Sequence, residues 1–138
     1  MANFDDWTTD PEVRRETAEA FVADPSRIGR LYLDRYVAFA TSGTTGRPAV
    51  ILQDRAARDV YLALLMTRRL PALVSAVSLR RFLGNRGRVA TIIATGGHFA
   101  SSVVEAIARS RYPTLTGLNR TFSLLDPLPG LVRALHDF

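Results

Sequence analysis

The segment that most constrains this chain is residues 41–48 (TSGTTGRP), where glycine, proline and hydroxyl residues fill every position except that of Arg47. Such residues favour turns over helices and strands, so residues 42–48 predict a loop. Short apolar runs rich in β-favouring residues flank it, residues 36–41 (YVAFAT) and residues 49–53 (AVILQ). We therefore predict two short strands joined by a polar loop.

A strand–helix–strand unit is predicted over residues 89–125. It begins with residues 89–94 (VATIIA), which are almost wholly apolar, as is typical of a strand covered on both faces. A helix capped by Ser101 or Ser102 follows, and residues 121–125 (TFSLL) predict the second strand. A unit of this kind favours parallel pairing of its strands.

Helices are predicted between and around these strands. Residues 10–12 (DPE) have the N-cap, proline and acid of a helix start. Asp54 predicts the N-cap of another helix, which Pro71 is expected to end. The apolar stripe expected to bury this helix comprises Ala57, Val60, Tyr61, Leu64 and Leu65. The fold class predicted is α/β, a layered sheet with flanking helices in one domain, residues 1–138.

Composition excludes several classes of protein. The chain has no cysteine, which excludes disulfides, thiol catalysis and cysteine-based metal sites. Its two histidines are far apart in sequence, so no metal site is predicted. Its apolar runs are much shorter than the roughly 20 residues that span a bilayer, and its N-terminus lacks the apolar stretch of a signal peptide. We therefore expect a cytoplasmic protein without a membrane partner.

The net charge of +5 raises the possibility of nucleic-acid binding. All 18 basic residues are arginine, which indicates a bias of the coding sequence. The arginines are scattered, and no basic stripe alternates with aromatic residues. Solvated helix faces and helix ends explain them better, so no nucleic-acid partner is predicted.

The loop at residues 41–48 has the chemistry to bind a polyphosphate. Glycine lets backbone N–H groups approach an anion closely, and successive N–H groups in a turn form an anion-binding concavity. Hydroxyl groups add further hydrogen-bond donors, and Arg47 adds a permanent charge with bidentate geometry. Only Thr44 and Thr45 separate Gly43 from Gly46, so the loop is not a Walker A sequence. The alternative is an ordinary polar hairpin.

Residues 41–48 resemble the phosphate-binding signature of the adenylate-forming superfamily, which includes acyl-CoA synthetases and peptide-synthetase adenylation domains. That signature reads Thr/Ser-Ser-Gly-Ser/Thr-Thr-Gly-Lys/Arg-Pro. The surrounding segments, YVAFATSGTTGRPAVILQDR and RVATIIATGGHFASS, are most similar to the phenylacetate–CoA ligase branch. The resemblance covers most of the chain from about the first helix onward.

The resemblance implies an ATP-dependent acid–thiol ligase. A small-molecule carboxylic acid attacks the α-phosphate of ATP, with Mg²⁺, to give an acyl-adenylate, and coenzyme A then takes the acyl group. In the family, the signature loop holds the β- and γ-phosphates of ATP. Carried over by position, the phosphate-binding residues are Thr41, Ser42, Gly43, Thr44, Thr45, Gly46 and Arg47. Arginine replaces the commoner lysine at the last of these positions.

A second candidate site lies at Gly96, Gly97, His98 and Phe99, between a strand and a helix. Open α/β sheets place ligands at the carboxyl ends of strands, and the resemblance implies that this region borders the acyl pocket. Gly97, His98 and Phe99 are the candidate pocket residues. The alternative is that the glycines only permit a tight turn and that His98 occupies a partly exposed helix start.

Several motifs of the family are absent from this sequence. There is no Tyr-Gly-x-Thr/Ser-Glu segment for adenine and magnesium, and no lysine that could be the catalytic one, so no catalytic residue is assigned. We therefore expect a fragment of the family's N-terminal domain, inactive alone, that self-associates through surfaces exposed by truncation. The alternative function is a stand-alone nucleotide- or phosphate-binding module without ligase activity.

Overall fold

A computed structural model of the chain describes residues 4–41, 43 and 48–138. Helix α1 (Phe4–Trp7) and helix α2 (Arg15–Ala23) come first, followed by a 3-10 turn at Pro25–Arg27. The helix start predicted at residues 10–12 is wrong. The Asp10 side chain accepts the Glu12 N–H at 3.0 Å, and the Asp10 carbonyl accepts the Val13 N–H at 3.1 Å. These bonds close a turn, so α2 begins only at Arg15.

The two strands predicted around the polar loop are confirmed. Strand β1 (Val37–Ala40) pairs antiparallel with β2 (Val50–Gln53), from Val37 opposite Gln53 to Ala40 opposite Val50. Alternate side chains of β1 enter two buried clusters. Ala38 packs with Phe21 and Tyr32, whereas Val37 and Phe39 pack with Val103. Strand β1 is therefore covered on both faces.

Helix α3 (Arg55–Leu73) follows β2, and helix α4 (Ala76–Gly84) follows α3. The N-cap prediction is confirmed, because the Asp54 carboxylate accepts the Ala57 N–H at 2.7 Å. The prediction that Pro71 ends α3 is wrong, since the helix continues to Leu73. Proline removes one intrahelical hydrogen bond but also occurs at kinks inside helices. The predicted buried stripe is wrong as well at the four positions that can be compared, since Ala57, Val60, Tyr61 and Leu64 are all exposed. The side chain of the fifth, Leu65, lies outside the described part of the chain.

The C-terminal part contains the predicted strand–helix–strand unit. Its elements are β3 (Val89–Ile93), α5 (Ala100–Arg111), α6 (Pro113–Thr116) and β4 (Asn119–Ser123), and α7 (Leu128–His136) comes last. Strands β3 and β4 pair in parallel, as the unit predicted.

The coverage predicted for β3 is wrong. Val89 and Ile92, which point to opposite faces of the strand, remain 44% and 46% exposed. The described strands form two separate two-stranded sheets, β1–β2 and β3–β4, and no larger layered sheet. The chain is thus a small mixed α/β protein. Its buried core is concentrated around β1, between α2 and α5.

Candidate functional site

The β1–β2 pair fixes both ends of the polar loop. Thr41 donates its backbone N–H to the Ala49 carbonyl at 2.9 Å, and its hydroxyl oxygen accepts the Ala49 N–H at 2.9 Å. Gly43 has a φ of +62°, in the left-handed region that favours glycine. A threonine side chain and a glycine conformation of the signature therefore shape the start of the loop.

The other predicted phosphate-binding residues lie outside the described part of the chain. They are Ser42, Thr44, Thr45, Gly46 and Arg47. Their roles therefore stay predictions from the sequence resemblance. The described residues give the position of the loop, from Thr41 on one side to Pro48 and Ala49 on the other.

The second predicted region lies next to the base of this loop. The Ala40 N–H at the end of β1 donates to the His98 carbonyl at 2.7 Å. Gly96 has a φ of +85°, and a Cβ added at Gly97 would lie 3.1 Å from the Phe99 ring. Phe99 is the N-cap residue of α5, and no described side chain caps this helix. The structure thus brings residues 96–99 and the base of the loop together.

His98 is buried, and its imidazole has no hydrogen-bond partner among the described residues. Its side chain is only 2% exposed, and both ring nitrogens are shielded from solvent. The ring lies 5.6 Å from that of Phe21 on α2. The alternative in which His98 occupies a partly exposed helix start is therefore wrong. A buried polar group without a partner has a free-energy cost, which makes His98 notable in this fold.

Two hydrogen bonds that sequence reasoning missed hold the 95–99 turn in place. Ser102, considered as a cap, lies inside α5 and donates its hydroxyl to the Ala94 carbonyl at 2.6 Å. The Thr95 hydroxyl donates to the Ser123 hydroxyl at 2.8 Å, after the end of β3. The turn is thereby connected to α5 on one side and to β4 on the other.

A polar cluster lies at the opposite end of β1 and was also missed. The Tyr36 hydroxyl donates to the Asp10 carboxylate at 2.7 Å, and Arg35 lies 3.3 Å from the same carboxylate. Arg35 also pairs with Glu12. The bond from Tyr36 lowers the pKa of Asp10, helped by the Glu12 N–H and the Arg35 charge, and the same bond raises the pKa of Tyr36. The residues are up to 26 positions apart, so no local pattern signals the cluster.

A cavity of about 880 Å³ lies at this same opposite end, away from the predicted site. Val37 and Phe39 of β1 line its floor, together with Ile107 of α5, while Arg58 and Arg111 are among the charged residues around it. The volume is in the range of small-molecule pockets. None of the predicted loop or turn residues lines it, so this cavity and the predicted chemistry do not coincide.

The described residues contain no group of three or more histidine, aspartate or glutamate side chains placed to hold a metal ion. In the same part of the chain, no helix combines the length and apolar character needed to cross a membrane. Comparison with known proteins gave no match to any protein-family model, curated protein or solved structure.

Proposed function

We propose that this chain is the phosphate-loop part of an ATP-dependent, AMP-forming carboxylic acid–CoA ligase, a partial N-terminal domain of an adenylate-forming enzyme. The observation that carries the proposal is the hydrogen bond from the Ala40 N–H to the His98 carbonyl at 2.7 Å. It joins the base of the signature loop to the 96–99 turn. The two segments that resemble the family are separated in sequence, with Thr95 lying 49 positions after Gly46. In the folded chain they meet at this hydrogen bond.

The proposed role of the loop is to hold the β- and γ-phosphates of ATP. Gly43, with its positive φ, turns the backbone as an anion-binding concavity requires. Ser42, Thr44 and Thr45 supply hydroxyl donors in this proposal, and Arg47 supplies a bidentate cation. The N-terminus of α5, which begins at Ala100, adds a partial positive charge close to the same turn.

The proposed chain binds ATP without completing the adenylation reaction. The resemblance implies that catalysis needs a lysine and a segment that binds adenine and magnesium, and this sequence has neither. We expect ATP to bind through its phosphates, while the carboxylic acid and coenzyme A are not turned over by this chain alone.

The first experiment is calorimetric titration of the chain with ATP and with AMP. Binding through the β- and γ-phosphates predicts that AMP binds at least about tenfold more weakly than ATP. Gly43→Val places a β-branched residue at a φ of +62° and should weaken ATP binding by a similar factor. Gly84→Ala is the matched control: Gly84 ends α4, and an added Cβ meets nothing within 4 Å. Equal ATP affinity for Gly43→Val and the wild-type chain would remove the loop from the proposal.

ATP–pyrophosphate exchange separates the proposal from its alternative. A stand-alone nucleotide- or phosphate-binding module would bind ATP equally well with or without carboxylic acids and would catalyse no exchange. A ligase fragment predicts that added carboxylic acids also produce no exchange. It predicts that a supplied polypeptide with both the missing adenine- and magnesium-binding segment and the missing lysine restores exchange. Acid-dependent exchange by the chain alone would contradict the predicted inactivity.

A further inference from the structure

The cavity of about 880 Å³ at the end of β1 away from the polar loop has walls from two helices. Residues of α5 line it at the spacing i, i+3, i+4 and i+7, which places them on one helical face: Val104, Ile107, Ala108 and Arg111. Residues near the start of α3 line it with the same spacing: Arg55, Arg58, Asp59 and Leu62. One face of each helix therefore borders the same open volume.

The side of the cavity nearest the core is apolar. Val37 and Phe39 of β1 line it and belong to the buried cluster against which Ile107 packs. Val104, one turn before Ile107, also lines the cavity and is 38% exposed. An apolar molecule in the cavity would cover such a side chain and remove apolar surface from water, which is favourable.

Guanidinium donors around the cavity have few acceptors within the chain. Arg55 and Arg58 share the single carboxylate of Asp59, and their Nε atoms lie 3.8 and 3.9 Å from its oxygens, too far for hydrogen bonds. Arg111 forms no salt bridge with any residue that the structure describes. Each guanidinium carries five N–H donors and no acceptor. An anionic group in the cavity would therefore find unused donors.

The acidic residues that line the cavity offer much less to a cation. The Asp54 carboxylate accepts the Ala57 N–H at the start of α3, and Asp59 is shared between two arginines. Among the described lining residues, Asp34 alone keeps a carboxylate without a partner, and it is exposed in a turn. The surplus of donors over free acceptors favours an anionic ligand.

We propose that this cavity binds a small organic anion, a molecule with an apolar body and one carboxylate. The apolar body packs on Val104 and Ile107, and the carboxylate accepts hydrogen bonds from Arg111 and Arg58. Guanidinium groups match carboxylates in bidentate geometry. The site is separate from the phosphate loop and from the acyl pocket expected at residues 97–99, so it goes beyond the proposed function and does not depend on it.

The test is calorimetric titration of the whole chain with three molecules that share one apolar body: naphthylacetate, naphthylethanol and naphthylethylamine. We expect naphthylacetate to bind at least about tenfold more tightly than the alcohol or the amine. Arg111→Gln should weaken naphthylacetate binding about tenfold and leave naphthylethanol binding unchanged. Arg80→Gln is the matched control, since Arg80 is exposed on α4 and does not line the cavity. It should bind naphthylacetate as the wild-type chain does.

A second variant tests the location of the site. Ala108→Leu places a larger side chain in the cavity from an exposed position, and leucine keeps a high helix propensity. It should weaken the binding of naphthylacetate and naphthylethanol about tenfold. The matched control is Ser110→Leu, because Ser110 lies about 200° further around the helix and does not line the cavity. This control should leave both affinities unchanged.

Several results would overturn the proposal. One is naphthylethanol or naphthylethylamine binding as tightly as naphthylacetate, and another is no binding of naphthylacetate at millimolar concentration. An unchanged naphthylacetate affinity in Arg111→Gln, or equal affinities in Ala108→Leu and Ser110→Leu, would also contradict it. Circular dichroism checks that each variant is folded. If a variant is not, the comparison of the three molecules on the wild-type chain still decides whether an anion is preferred.

Discussion

The β1–β2 region and the α3–α4–β3 region follow the same sequence rules but differ in burial. Around β1, alternate side chains enter two buried clusters, and helices α2 and α5 cover them. In α3, the described residues of the predicted apolar stripe remain exposed, and so do Val77 and Leu83 of α4. Periodicity thus indicates which side chains favour burial, whereas burial itself depends on another element being present to cover them.

Removing a buried ring from the first region should have the largest effect. Phe21 is 6% exposed and packs edge-to-face on Tyr32, with ring centroids 5.5 Å apart. We expect Phe21→Ala to lower the free energy of unfolding by about 3–5 kcal/mol. The same substitution at Phe82, which is 42% exposed on α4, should have less than half that effect. Urea denaturation measures both, and equal losses would contradict the difference in packing between the regions.

Replacing His98 should have the next largest effect, and this substitution should raise the free energy of unfolding. Its buried imidazole has no partner among the described residues, and an unsatisfied buried polar group has a cost of about 1–3 kcal/mol. We expect His98→Leu to stabilise the fold by about 1–2 kcal/mol. The control is His136→Leu at an exposed position near the end of α7. A loss of stability in His98→Leu, measured by urea denaturation, would show that the ring has a stabilising partner.

The sequence predicts local features well in both regions. The turn formers around Gly43 predict where β1 and β2 are separated, the Asp54 side chain predicts the start of α3, and parallel pairing of β3 with β4 follows from their spacing. These features depend on residues close in sequence or on the length of one crossover. They are the parts of the fold for which local physical chemistry is sufficient.

The features that the sequence does not predict depend on distant contacts. The exposure of Val60 and Leu64 depends on whether another element covers α3, and the burial of His98 depends on Phe21, 77 positions earlier. The loop at residues 41–48 is identified as a candidate site from its own residues, but its position beside the 96–99 turn depends on one backbone hydrogen bond between separate segments.

Breaking the hydrogen bond that joins the candidate site to α5 should have a smaller effect on the free energy of unfolding. Ser102→Ala removes the donor to the Ala94 carbonyl, 2.6 Å away, and leaves a partly buried acceptor without its partner. We expect a loss of about 1 kcal/mol in urea denaturation. The neighbouring exposed residue supplies the matched control, Ser101→Ala, which should change stability by less than about 0.5 kcal/mol. Equal losses would contradict a specific role for the Ser102–Ala94 bond, because helix propensity alone favours alanine at both positions.

Removing the hydrogen bond between Tyr36 and Asp10 should have the smallest effect on stability, and the size of that effect should depend on pH. The folded state lowers the pKa of Asp10 below its usual 3.8, so stability from this carboxylate is present above 3.8 and is lost as pH falls through the folded value. The folded state raises the pKa of Tyr36 above its usual 10.0, so stability from the hydroxyl is present below 10.0 and is lost as pH rises through the folded value.

Tyr36→Phe should therefore be slightly less stable than the wild-type chain at neutral pH, and the difference should narrow in both acid and alkali. The urea concentrations at the midpoint of unfolding, determined for both chains at about pH 3, 7 and 11, measure this difference in stability. Tyr61→Phe, at an exposed position on α3, is the matched control and should follow the wild-type chain at every pH. A difference that stays constant across this range would mean that the Tyr36 hydroxyl contributes to stability independently of the charge on the Asp10 carboxylate, which would contradict the role given to this bond.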